Sequence, residues 1–84
     1  MDEAFQISSP ETATAGDYLT FTILDGSRER PGRITGAALA LLGQSADCRE
    51  VFLANFERIR EAAYLMSKKR PGIDLVILGV DNFQ

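Results

Sequence analysis

Histidine is absent from these 84 residues, and cysteine occurs once. The first absence removes the side chain whose unperturbed pKa lies nearest neutrality and which most often serves as a general base. The second excludes a disulfide within the chain, the device on which small secreted domains usually depend. Long apolar runs are missing too. The longest, Ala37 to Leu42, has six residues, against roughly 20 needed to span a bilayer. The opening residues Met1-Asp2-Glu3-Ala4-Phe5 are acidic, where a secretory leader carries a basic stretch followed by an apolar one. Neither a G-x-G-x-x-G nor a G-K-[ST] pattern occurs among the seven glycines, so no phosphate-cradling loop is legible. These absences lead to the expectation of a cytoplasmic protein with no membrane span, no cofactor, no metal, no evident small-molecule ligand and no catalytic apparatus.

What remains is the composition of a folded chain, with 45% hydrophobic and 25% charged residues. Its length supports one core, so residues 1–84 are read as a single domain. The net charge is −3, which gives no general attraction to phosphate backbones. All nine basic residues nevertheless fall between Arg28 and Arg70.

Residues 4–8 alternate apolar and polar and read as a short strand ended by Ser9-Pro10. The segment Glu11 to Asp17 has no periodicity and reads as a loop. Tyr18 to Leu24 is a two-faced strand, with Leu19, Phe21 and Ile23 on one side and Thr20 and Thr22 on the other. Asp25-Gly26 suits a type I′ hairpin turn. The returning arm, Ser27 to Ile34, contains Pro31-Gly32 and is placed at a sheet edge, since proline supplies no ladder donor.

Thr35 is positioned to cap a short helix over Gly36 to Leu42, with Gly43 as its left-handed stop. Asp47 and Glu50 have the spacing of a capping box and open a long helix to about Lys69, which Pro71-Gly72 ends. Phe52, Phe56, Ile59, Ala63 and Met66 form one stripe along it. Glu57, Arg58, Arg60 and Glu61 are assigned to the opposite, solvated face. Ile73 to Val80 is rich in β-branched residues and reads as a final buried strand, followed by a tail from Asp81. The expected fold is a two-layer α+β domain ordered β-β-β-α-α-β, with one short and one long helix on one face of a mainly antiparallel sheet. The sequence leaves the strand order open; a return of the last strand beside Tyr18 to Leu24 would put the most apolar segments together.

The order of elements and several short motifs resemble a small bacterial family of domains of unknown function, the one numbered 1488. The matching features are the Asp25-Gly26 turn, Ile34-Thr35 leading to Ala38-Leu39, the pattern Phe52-x-x-Asn55-x-x-x-Ile59, and a closing apolar strand followed by Asp81 and Phe83. The chain departs from that pattern at Phe56, where arginine is common, and at Asn82, which separates the final Asp and Phe. The resemblance implies an architecture and a bacterial source, and no activity.

Two interaction readings follow. If Leu75 and Ile77 face the helices, then Val76, Leu78 and Val80 fall with Leu24 on the uncovered sheet face. That patch suggests a homodimer or another protein partner for a non-enzymatic interaction or accessory domain. The alternative is a weak nucleic-acid-binding module, in which Arg28, Arg30, Arg33, Lys68, Lys69 and Arg70 would contact phosphates. Cys48, near the start of the long helix, has no second cysteine or histidine with which to build a nucleophilic or metal site.

Overall fold

Alternation in β2 (Tyr18–Asp25) makes the strand two-faced. The computed structural model, which describes residues 3–11, 18–44 and 47–83, buries Leu19, Phe21 and Ile23 to 2% exposure or less. β1 (Phe5–Ile7) pairs antiparallel with β2, and so does β3 (Arg28–Thr35). β4 (Val76–Leu78) runs parallel to β3, giving a four-stranded mixed sheet in the order β1-β2-β3-β4. A parallel neighbour requires a crossover. It is supplied by α1 (Gly36–Leu42), α2 (Cys48–Ala54) and α3 (Phe56–Lys69), which cover one face of the sheet. The protein is thus α+β with three helices, one more than expected. No helix among the described residues is long and apolar enough to cross a membrane.

The hairpin forms one residue beyond the expected pair. Asp25 faces Arg28 in the ladder, so the loop is Gly26-Ser27. Gly26 has φ +64°, and no non-glycine residue among those described has positive φ. Positive φ at the first central position alone is the type II′ pattern rather than type I′.

β3 is an inner strand, contrary to its expected edge position. Pro31 is accommodated by geometry. Thr22, opposite it, directs its C=O and N–H to Ser8 N and Oγ at 2.8 and 2.9 Å, away from β3. Pro31 therefore turns its nitrogen to the other flank, where β4 has not begun: the parallel ladder starts at Gly32 opposite Val76. Gly32 has its own reason to be glycine. A Cβ there would lie 2.6 Å from Phe21 Cε2, and the Phe21 ring is held at 5.3 Å from that of Phe52. Gly32→Ala is expected to lower stability by about 1–2 kcal/mol in urea unfolding, the overpacking cost less the gain from reduced chain freedom. A variant as stable as the wild type would show that the ring can retreat.

Thr35 Oγ1 accepts from Ala38 N at 3.1 Å, so the expected cap of α1 is present. Gly43 is extended (φ −167°) and not left-handed. A Cβ at that position would approach Val51 Cγ1 to 3.3 Å, so close packing against α2 accounts for the glycine. The Asp47 side chain accepts from Arg49 N at 3.0 Å and caps α2. The expected long helix breaks at Asn55 (φ −116°, ψ 23°). Its Nδ2 donates to Val51 O at 2.9 Å, while its backbone N–H is shared between the Val51 and Phe52 carbonyls. Asparagine side chains that bond nearby backbone groups offer the chain an alternative to the helical ladder. The apolar stripe survives the break: Phe52, Ile59 and Ala63 are fully buried, and Phe56 and Met66 pack against the core. Arg60 leaves the solvated face to which it was assigned, because its Nε donates to Phe5 O at 3.1 Å and ties α3 to β1.

The final strand corrects the interface reading. β4 is three residues long, with Val76 and Leu78 at 0% exposure and Ile77 at 48%. Val76 lies opposite Gly32 and Leu78 opposite Ile34, both on the helix side of β3, and this ladder sets the facing of β4. The strand pairs with β3 and not with β2. Val80 belongs to a 3-10 turn (Val80–Phe83), where a strand end and a tail were expected, and is half-buried. Of the four proposed interface residues only Leu24 stays exposed on the open sheet face. There it and Ile77 are interspersed with Gln6, Thr20, Thr22, Glu29 and Arg33. The expected loop over residues 12–17 lies outside the described residues.

A candidate anion-binding cleft

Because β4 starts only at Val76, the first half of β3 has no strand on its far flank, and the turn after α3 occupies that side instead. Strand parity places Arg28 and Arg30 on the same face as Gly32 and Ile34, which is the helix side. Arg30 thereby enters the protein and is only 4% exposed. Its Nη2 donates to Asp25 Oδ2 at 3.2 Å, and its Nη1 donates to Ile73 O at 3.1 Å. Arg28 Nη1 reaches Pro71 O at 3.4 Å. The residues that stop α3 therefore also present carbonyls to two arginines of β3.

A cleft of about 190 Å³ opens at this end of the molecule. Phe5, Asp25, Arg28 and Arg30 line it from the sheet, and Tyr64, Ser67, Lys68 and Pro71 from α3 and its exit. Three cationic side chains against one carboxylate leave a formal surplus of two positive charges. Asp25 is bound to Arg30, while Arg28 and Lys68 form no salt bridge with any described carboxylate. Lys68 Nζ stands 5.5 Å from the centre of the Tyr64 ring, and that ring meets Phe5 edge-on at 5.3 Å. Cation–π contact of this kind holds the ammonium without neutralising it.

Among the described residues, two buried side-chain polar atoms have no hydrogen-bond partner, Arg30 Nε and Ser67 Oγ. Both belong to residues lining this cleft. An orphaned buried donor costs about 1–3 kcal/mol. Ser67 is the more telling, since a helical serine can ordinarily satisfy its hydroxyl on the carbonyl one turn back. The cleft thus carries donors on two facing elements and a formal positive surplus.

The six basic residues considered for nucleic acid are divided between the two faces of the sheet, and one of them is buried. Arg28, Arg30 and Lys68 meet in the cleft, with Arg30 buried. Arg33 lies on the opposite sheet face, its guanidinium 4.8 Å over the Tyr18 ring and its Nη1 donating to Tyr18 Oη at 3.3 Å. Lys69 and Arg70 line a different hollow together with Asp81. Cys48 is exposed at the start of α2, and no group of three or more carboxylates and thiols among the described residues could hold a metal. Ser67, Asp25 and Tyr64 were not among the expected site residues. Ser67 was detectable on spacing alone, four residues beyond Ala63 in the apolar stripe. Comparison with protein-family models, with curated proteins and with solved structures finds no match to this chain.

Proposed function

We propose that this domain is a non-enzymatic interaction module that recognises an anionic group of its partner in the cleft between β3 and α3. The observation that carries the reading is the pair of unpartnered buried groups, Arg30 Nε and Ser67 Oγ, in one cleft with two cations that have no carboxylate partner. Natural interiors rarely leave such groups unsatisfied, and a bound ion or water is the usual partner of those that protein atoms do not satisfy. The division of the basic residues between the two faces of the sheet, with Arg30 buried, favours this reading over a nucleic-acid module, which needs its cations along one surface.

Thermal melts at constant ionic strength test it. An oxyanion at ten times its Kd stabilises the folded state by about 1.4 kcal/mol, or roughly 6–11 °C in Tm for a domain of this size. Phosphate and sulfate also strengthen apolar burial generally, so the control is the double variant Arg28→Gln, Lys68→Gln, which alters two exposed side chains. The wild type is expected to gain several degrees more than this variant. Equal gains would overturn the proposal.

A further inference from the structure

We infer that the anion is a phosphoryl group carried as a monoester, an assignment that rests on the cleft being an anion site. Three features of the cleft select it. The first is the arrangement of donors. Arg30 has two of its five N–H groups committed, one on Nη1 to Ile73 O and one on Nη2 to Asp25 Oδ2, and its Nε–H has no partner. The remaining donors, on Ser67, Lys68 and Arg28, come from both sides of the cleft. A phosphoryl group presents three strong acceptor oxygens in three directions and suits such a set.

The second feature is charge. The formal surplus of two positive charges matches the −1.5 to −2 of a phosphate monoester near neutral pH. Asp25, 39% exposed at the rim, sets an upper limit, because a diphosphate would bring further negative charge against its carboxylate. The third is size. At about 190 Å³ the cleft is smaller than the 300–1,000 Å³ of sites that enclose a whole drug-sized ligand. It holds the phosphoryl head and leaves the rest of the ester outside, on the side of the half-buried Tyr64 ring.

Titration calorimetry at constant ionic strength, with inorganic phosphate, O-phosphoserine, pyrophosphate and acetate, separates the outcomes. Phosphate and O-phosphoserine are expected to bind at least about tenfold more tightly than acetate, a gap equal to one charge-assisted hydrogen bond. Pyrophosphate is expected to bind no better than phosphate. Acetate binding as well as phosphate, or pyrophosphate binding best as charge alone would dictate, overturns the phosphoryl assignment and leaves the anion site standing. Failure of all four probes overturns both. A short phosphoserine peptide then identifies the carrier: tighter binding than free O-phosphoserine places the group on a protein, and equal binding places it on a small molecule. Ser67→Ala supplies a readout that a purely structural residue would not give. It is expected to weaken phosphate binding about tenfold while raising the Tm of the free protein, because it deletes an unsatisfied buried hydroxyl. Unchanged phosphate affinity in that variant would remove Ser67 from the site and overturn the donor arrangement proposed.

Discussion

Leu78→Lys is expected to leave the protein unfolded, whereas Ile77→Lys, one residue away, should change its stability by no more than about 0.5 kcal/mol. Leu78 is at 0% exposure opposite Ile34 in the ladder, so an ammonium there has no water and no partner. A buried charge of that kind costs several kcal/mol even after relaxation, and the loss of the leucine's own burial adds about 1.5–3 kcal/mol. A domain of this size has a total stability of roughly 4–13 kcal/mol. The substitution consumes most or all of it. Ile77 is 48% exposed on the open sheet face, where its lysine replacement keeps its charge in solvent. Far-ultraviolet circular dichroism and urea unfolding of both variants check the pair. A folded Leu78→Lys, or an Ile77→Lys variant that collapses, would reverse the facing of β4 and restore the apolar surface on the uncovered side of the sheet.

That reversal of facing shows where sequence reasoning reaches its limit. In β2 the threonines stand between Leu19, Phe21 and Ile23, so hydrophobic alternation alone identifies the buried face. In Leu75-Val76-Ile77-Leu78 every position is apolar, and either parity is consistent with the composition. Only the partner strand decides, and parallel pairing with β3 is a tertiary fact. The helical break at Asn55 is a similar case. The stripe from Phe52 to Met66 is continuous in spacing, and the interruption falls at an asparagine whose side chain shares the Val51 carbonyl with its own backbone N–H. The hairpin was legible to within one residue because Gly26 supplies positive φ wherever the turn is centred.

The site was legible in pieces. Arg30 shares parity with Ile34, so once the core face of β3 is known the arginine must enter the interior. Its position beside α3 was not legible. It depends on β4 being too short to flank residues 28–31, which brings the turn after α3 against them. Reading the six basic residues by sequence proximity grouped Lys68 with Lys69 and Arg70. On a helix, neighbours one residue apart point about 100° from one another, and Lys68 lines the cleft whereas Lys69 and Arg70 line the neighbouring hollow.

Whether Arg30 serves stability or recognition is decided by comparing its removal with the removal of its partner. Asp25→Ala should destabilise the protein by about 2–3 kcal/mol, since it leaves a guanidinium with 5% side-chain exposure without its counter-charge. The estimate lies below the 3–5 kcal/mol typical of a fully buried pair because Asp25 is itself 39% exposed and partly screened. Arg30→Met is expected to cost less than about 1 kcal/mol. Methionine retains a flexible apolar stem of similar length, removes the buried charge, and deletes the orphaned Nε; such replacements of buried ions are often neutral or stabilising. The double variant should then resemble Arg30→Met alone, because once the cation is gone Asp25 has little to compensate. The coupling between the two positions, read from a urea-unfolding cycle, is then expected to equal the cost of Asp25→Ala, about 2–3 kcal/mol. An Arg30→Met variant that loses more stability than Asp25→Ala would make the arginine a structural post and remove the main reason for assigning it to a ligand. The expected order, with the arginine dispensable to the fold and its carboxylate partner needed only while the arginine is present, is that of a charge maintained inside the protein for something it binds.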